Sequence, residues 1–548
     1  MIKSEKITGF KHHLLPSFSR NWIVVITLYA LLHFLAASNQ ILYFYSAGDN
    51  ATYYMLAQSL VQGHGYTDIY ADPPTPHVKF PFIFPLMIAF MLKVFGENIL
   101  LIKVMIALCA VVMILFTALL WQKRDGSFFS IVTTILVTTM PLTLSLSSWI
   151  MSEIPFIAFT CISLYCAEYA FNDGSLKHIA ISISLFFMLC ACLTRAAGIV
   201  IGPALVLATL LNRPLRKGLK HKLIVAGIIF LLYISAAATW YYYRPPQVQA
   251  REKSYVQEFF KSAALIDRHK HVEVNKWVDL FQRTVRNAEF YSGEFGNALW
   301  PFPSAFSEPI LTKFGVFIFA IFLLGFVVIF LKKQGAPEFF TLFYAAVLLL
   351  WSGQDHRFLV PLYPFLVYYL FKGFEFLLRY ILFWLQPPKR NTLVRGGIIF
   401  IALLILTSNF STDLKTYQKV NAVRRLDAYS VNPWFYIAPL DDDHAHLLQV
   451  VTAFLPLVKS GDKVLSRKEP LVALILKVVV TDYPPNITPS DFFDYLTKNN
   501  IKFLIVDEFN NRTRKGVFSS LLEYPDSFTF VMRVEKTMIY QFTPTQRD

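Results

Sequence analysis

Apolar runs of roughly 15–25 residues recur along this chain, and a run of that length can cross the hydrocarbon of a bilayer as a helix. They make the chain a polytopic α-helical membrane protein. Of its 548 residues, 55% are hydrophobic and only 16% are charged, against ~45–50% and ~25% in soluble domains. The formal charge is +15, from 51 Lys and Arg against 36 Asp and Glu. In a soluble protein that excess would suggest nucleic acid. Here it belongs in cytoplasmic loops facing anionic lipid headgroups, and no nucleic-acid partner is implied.

The same charge rule sets the topology. Lys3, Lys6, Lys11 and Arg20 precede the first run, near 22–45. That run is too long for a signal-peptide core and reads as an uncleaved anchor running outward. The polar stretch from Ser46 to Phe82 then lies outside, within an external loop at 46–98. Residues 81–95 are short and carry two prolines. Counting them as a crossing would put Lys123 and Arg124 outside, so they read as a helix lying along or dipping into the outer leaflet. Helices at 99–121 and 127–147 follow, and the second delivers SSWIMSEIPF (147–156) to the face of Asp49. Later runs alternate so that Arg213, Arg216, Lys217, Lys332, Lys333, Lys389 and Arg390 fall inside, with a long external loop at 244–310. About 11 transmembrane helices result, within a membrane domain at 1–410.

Residues 411–548 mix charges with short apolar runs and read as a soluble extracytoplasmic α/β domain. KVLS (463–466) and IKFLIVD (501–507) are strand candidates, SDFFDYLTKNN (490–500) has helical spacing, and FTFVMRV with TMIYQF suggests a closing hairpin. The stretch DDDHAH (441–446) looks metal-like but reads better as a solvated helix start. All five cysteines lie in apolar segments, so neither a zinc site nor a disulfide framework is indicated.

Helix ends on the outer face gather Asp49, Glu153, Arg195, Asp355, His356 and Arg357, and the Asp49 loop adds Tyr53, His64, His77 and Lys79. Carboxylates can take a proton from a nucleophile, while Lys and Arg offset charge on a leaving phosphate. A charge at a helix end ordinarily just marks the water boundary. His64 in GHGY has the setting of a turn residue, Tyr53 that of an interfacial aromatic, and Arg195 that of a helix anchor. Glu153 differs, since it sits within an apolar run (WIMSEIPFIAF) and needs a partner there.

In order and spacing these pieces resemble the GT-C membrane glycosyltransferases, in the branch of protein O-mannosyltransferases and aminoarabinose transferases (the family 39/83 type). The match runs over about 20–380 and rests on GDNATYYMLAQSLVQGHGY, KFPFIFPLMIAFMLKVFGEN, SEIPF, LTRAAGIVIGP and DHRFLVPLYPFL. The resemblance implies a GT-C fold and a polyprenyl-phosphate-linked sugar donor, used with inversion on the outer face. It implies Asp49 as base or acceptor-activating group and Glu153 as the acidic residue of the second external loop. It further implies Lys79 as a donor-phosphate ligand and Arg357 and, more weakly, Arg195 in the same substrate region; His356, Tyr53 and His64 complete the binding candidates. Family members often carry Asp-Glu where this chain has Asp49-Asn50, so a divalent metal finds no support here and no metal ligand is assigned.

The expected activity is therefore sugar transfer to a glycolipid, glycan or protein acceptor at a membrane, with a bacterial inner or plasma membrane favoured. The alternative is a polytopic transporter or lipid-carrier flippase. Such proteins place charges near the bilayer midplane on broken helices, in inverted repeats. Here the charges sit at outer helix ends and no repeat shows.

Overall fold

The computed structural model describes residues 21–40, 48–71, 73–171, 178–211, 219–242, 259, 276–299, 308–424, 442–484, 488–507 and 511–544. It begins with helix α1 (Asn21–Gln40). The polar stretch beyond it is largely ordered structure: helix α2 (Asp49–Val61), then a hairpin of β1 (Thr67–Asp68) against β2 (Thr75–Pro76). Gly48 takes φ 102°, a left-handed conformation open to glycine, and this turn makes Asp49 the first residue of α2. Helix α3 (Ile83–Phe95) packs on α2 and, at 13 residues, is too short to cross a bilayer.

Helix α4 (Ile99–Asp125) runs the full depth of the bundle. The return, expected as one straight helix over 127–147, is instead two, α5 (Ser127–Thr139) and α6 (Pro141–Ser148), bent by 60°. Pro141 has no N–H for the helix ladder, and its ring pushes Met140 into an extended conformation, ψ 126°. There follow α7 (Glu153–Phe171), α8 (His178–Cys192), a 3₁₀ turn at Ala196–Val200, α9 (Ile201–Leu211) and α10 (Leu219–Tyr242).

The 244–310 region contains α11 (Lys276–Leu299), which lies against α12 (Glu308–Lys332) and α13 (Ala336–Leu350). The Asn287 amide caps α13 by donating to the carbonyls of Leu348, Leu349 and Trp351 at 2.8–3.1 Å. A second 3₁₀ turn, His356–Leu362, leads into α14 (Tyr363–Ile381), and α15 (Pro387–Arg424) follows. Among the described residues four helices are long and apolar enough to cross a membrane, or five if the bent pair counts as one span. Six more apolar helices are shorter, at 10–17 residues.

Charge collects at the two ends of α7. Glu153 opens the helix and Glu168 lies 15 residues on, about 22 Å away along the axis. At the Glu168 end, Arg124 donates to Glu168 and Glu338, both at 2.8 Å, Tyr369 donates to Glu338 at 2.8 Å, and Lys333 donates to the Arg124 carbonyl at 2.7 Å. Trp121 stacks on Tyr368 beside them, with ring centroids 3.6 Å apart. This buried network ties α4, α7, α13 and α14 together, leaving the Glu153 end open.

After α15 the chain forms a mixed α/β unit: α16 (Asp442–Phe454), β3 (Lys463–Leu465), α17 (Glu469–Leu476), β4 (Val479–Thr481), α18 (Pro489–Lys498), β5 (Phe503–Val506), α19 (Asn511–Glu523), β6 (Phe528–Val534) and β7 (Thr537–Phe542). The sheet order is β4-β3-β5-β7-β6, with β3 parallel to β4 and β5 and the β6–β7 hairpin antiparallel. All four residues of β5 are buried, as its unbroken apolar run requires of a central strand. The 471–480 run resolves into α17 and β4. Of 441–446, residues 442–446 open α16, but the side chains of 441–445 lie outside the described residues. The unit docks on α2 through α17, and the Val480 N–H donates to the Tyr70 carbonyl at 3.1 Å.

Candidate active site

Three carboxylates and two guanidinium groups converge at the open end of α7. Asp49 and Glu153 each begin a helix, where the N-terminal dipole favours negative charge. Asp355 caps the second 3₁₀ turn and accepts from the Arg357 N–H at 2.9 Å. The Arg357 guanidinium sits among them. Its Nη2 donates to Asp49 Oδ2 at 3.1 Å and its Nε to Asp355 Oδ2 at 2.6 Å, while Nη1 is 4.0 Å from Glu153 Oε1. Burial works against its charge, but Glu153, Asp49 and Asp355 outweigh that and hold the guanidinium above its ordinary pKa.

Arg195 pairs with the same Glu153 oxygen more closely, Nη1 to Oε1 at 3.0 Å. Glu153 is 0% exposed, and the contact is an ion pair without an aligned hydrogen bond to either of its oxygens. Arg195 also donates to Ser152 Oγ at 3.0 Å, and Ser152 Oγ shares a 2.9 Å hydrogen bond with the Tyr53 hydroxyl. Burial pushes the Tyr53 phenol above its ordinary pKa, so Tyr53 serves as a hydrogen-bonding partner and not as an acid or base. Tyr53 in turn packs on Phe80 and Phe84, at centroid distances of 4.5 and 4.9 Å.

These groups border a cavity of about 530 Å³. Asp49, Lys79, Arg195 and Arg357 supply its polar wall, and Phe80, Ile199, Tyr344, Leu348, Trp351 and Phe358 much of the apolar remainder. One carboxylate beside three cations on a greasy wall suits an amphiphile with an anionic head. Among the described residues, Asp49 Oδ1 has no hydrogen-bond partner, and the Asp49 side chain is 34% exposed.

Residues 79–241 match the family model described as dolichyl-phosphate-mannose-protein mannosyltransferase. The whole chain is similar in fold to a solved structure of ArnT from Cupriavidus metallidurans bound to undecaprenyl phosphate. That match has TM-score 0.53 at 12% identity and covers 95% of this chain and 98% of that one. The chain thus shares the fold of ArnT over nearly its whole length. The apo structure of the same ArnT gives TM-score 0.55 at 12% identity, with the same coverage of 95% and 98%. The oligosaccharyltransferase AglB from Archaeoglobus fulgidus, solved with an inhibitory peptide and a dolichol-phosphate, gives 0.54 at 14% identity, covering 89% of this chain and 70% of that one. No curated protein sequence matches the chain.

Within this fold the sequence candidates separate. Asp49, Tyr53, Lys79, Arg195 and Arg357 line one cavity. Glu153 lies behind its wall, where it holds Arg195 and faces Arg357. His64 is exposed in the turn after α2, away from the cavity lining. His356 is about half exposed, with Nδ1 3.8 Å from Asp355 Oδ1, and does not line the cavity either. Sequence reasoning passed over Ser152, Tyr344, Trp351 and Phe358. The first is a small hydroxyl one residue before Glu153, and the aromatics read as membrane-interface residues, so nothing in the sequence set them apart. The Asp49 and Asp355 carboxylates lie on Arg357, and among the described residues no three His, Cys, Asp or Glu side chains converge as ligands.

Proposed function

We propose that this protein is a glycosyltransferase that moves a sugar from a polyprenyl-phosphate donor to a hydroxyl-bearing acceptor on the extracytoplasmic face, with inversion at the anomeric carbon. The observation that carries this reading is the cavity in which Asp49 faces Lys79, Arg195 and Arg357 against an apolar wall. The reading is supported by the fold shared with ArnT and AglB, whose solved structures hold undecaprenyl phosphate and a dolichol-phosphate. The acceptor hydroxyl approaches Asp49 Oδ1 and attacks the anomeric carbon. Its proton passes to the carboxylate as the new C–O bond forms. The bond from that carbon to the phosphate oxygen breaks, and polyprenyl phosphate leaves with the electron pair. Lys79 holds the donor phosphate as a point charge in the bound donor and the leaving group alike, and Arg357 offsets as a fork the charge that builds on the leaving phosphate. Glu153 acts through its neighbours: it positions the two guanidinium groups and does not touch the reacting atoms. No step is routed through a metal.

This reading carries the topology with it. The N-terminus lies inside, eleven crossings bring residues 1–410 across the membrane, and the α/β unit after them lies outside with the site. Loop 244–310 and the α/β unit would select among glycolipid, glycan and protein acceptors.

The test uses the purified protein in lipid vesicles with a labelled polyprenyl-phosphate sugar and cell-envelope acceptors. Asp49→Asn keeps the shape of the side chain and removes the base. Transfer should fall by about 10²–10⁴-fold with donor binding retained. Transfer at the parent rate would take Asp49 out of the mechanism.

A further inference from the structure

Lys79 reaches the cavity from a short segment, His77–Pro81, that follows the β1–β2 hairpin. A long cation on a loop is a poor phosphate ligand unless its backbone is fixed, because ordering it on binding costs conformational entropy. Here two buried ionisable groups that the transfer chemistry does not use do the fixing. His77 and Asp68 are 3% and 1% exposed. His77 Nδ1 lies 2.8 Å from Asp68 Oδ1, and the Phe80 N–H donates to His77 Nε2 at 2.9 Å. Because Nε2 accepts from an amide, the ring is neutral and its one proton sits on Nδ1, donated to Asp68. The imidazole thus bridges β1 to the residue next to Lys79. Around it, the His77 N–H donates to the Tyr66 carbonyl at 3.0 Å and the Tyr66 hydroxyl to the Phe80 carbonyl at 2.8 Å. The His77 ring stacks on Phe80 at 5.3 Å, and Phe80 lies against Lys79 Nζ, 5.6 Å from the ring centroid.

We infer that Asp68 and His77 are positioning residues for the donor phosphate: they hold the 77–81 segment so that Lys79 presents its ammonium to the cavity before the lipid arrives. The inference rests on the donor reading above. It predicts a defect of a particular kind. The chemistry on Asp49 is untouched, so loosening the segment weakens donor binding and leaves kcat and the acceptor KM near their parent values.

The test compares His77→Leu, which removes donor and acceptor together, with His77→Gln, whose amide carries an N–H donor and an oxygen acceptor at a spacing close to that of the imidazole nitrogens. Binding of polyprenyl phosphate alone is measured first, since it needs no acceptor. His77→Leu should weaken it about tenfold, as expected for about 1.4 kcal/mol, and His77→Gln should recover most of that. Combined with Lys79→Ala, His77→Leu should add nothing further, because the ammonium it orients is gone. In transfer assays the donor KM should rise with kcat within about twofold of the parent. Multiplicative effects of His77→Leu and Lys79→Ala would overturn the inference. So would a fall in kcat at unchanged donor KM, or a His77→Gln protein no better than His77→Leu. Should His77→Leu fail to fold, Asp68→Ala, which removes the acceptor for Nδ1–H, gives the same readout, and unchanged donor affinity there would overturn it as well. A parent protein that binds polyprenyl phosphate but transfers no sugar would refute the transferase mechanism and leave this inference standing. A parent that does not bind it at all would refute both.

Discussion

Arg357 meets three carboxylates in the site, and its geometry decides what can replace it. Its fork reaches Asp49 and Asp355 together and lies against Glu153. A lysine is a point charge and can satisfy one of these carboxylates at a time, leaving the others on a partly buried face. Arg357→Lys should therefore lower transfer by about 10–100-fold, the equivalent of one charged hydrogen bond lost at about 1.5–3 kcal/mol. Initial rates at saturating and limiting donor check this, and a rate within twofold of the parent would mean that charge alone suffices. That Asp49, Glu153, Arg195 and Arg357 lie near one membrane face is readable from the sequence, because each ends or begins an apolar run. Which of them open onto a shared cavity is not. That depends on how α7 is rotated about its axis, and the rotation puts Glu153 behind the wall instead of on it. His64 shows the same limit: it shares a loop with Lys79, yet the turn after α2 sends it into solvent.

Helix packing sets where Arg357 stands. Its 3₁₀ turn leads directly into α14, and α14 is pressed against α12 at a glycine crossing. A Cβ on Gly325 would strike the Tyr369 carbonyl oxygen and the backbone of Gly373, and one on Gly373 would strike the Ile321 carbonyl. Backbone cannot swing aside as a side chain can, so the helices must part. Small residues at such crossings are the means by which helices approach closely where lipid supplies no hydrophobic drive between them. Gly325→Ala should destabilise the protein by about 1–3 kcal/mol, the cost of overpacking, and lower transfer by displacing the turn that carries Arg357. Gly227, in α10, has open space where its Cβ would go. Gly227→Ala should be neutral or slightly stabilising, up to about 1 kcal/mol from helix propensity. Thermal unfolding in detergent compares the two, and equal midpoints would show that the crossing is not tight. None of this was readable from apolar periodicity. A run of apolar residues predicts that a helix exists, while the glycine contacts come from partners far along the chain and the break at Pro141 comes from one proline that an apolar count passes over. In the α/β unit the reading went further, because 503–506 and the 528–542 hairpin are local patterns in which period and turn residues suffice.

At the scale of the molecule the question is which side of the membrane the site faces. The geometry links several remote segments into one answer. Asp49 opens α2, α17 of the C-terminal unit packs on α2, and β4 is bonded to Tyr70, so the site and the C-terminal unit share a side. The Arg124 network lies at the far end of α7, about 22 Å away along its axis, and Lys332 and Lys333 end α12 there. Under the topology proposed above, the positive-inside rule makes that end the cytoplasmic one. The five native cysteines are buried or half-buried, which leaves room for single reporter thiols at exposed positions. In intact cells a membrane-impermeant thiol reagent should label His64→Cys and Lys498→Cys and leave Lys332→Cys unlabelled until the membrane is permeabilised. Labelling of the first two in opposite sense to each other would break the contact between α2 and the C-terminal unit. Labelling of all three in the reverse sense would turn the site to the cytoplasm, where an extracytoplasmic acceptor could not reach Asp49.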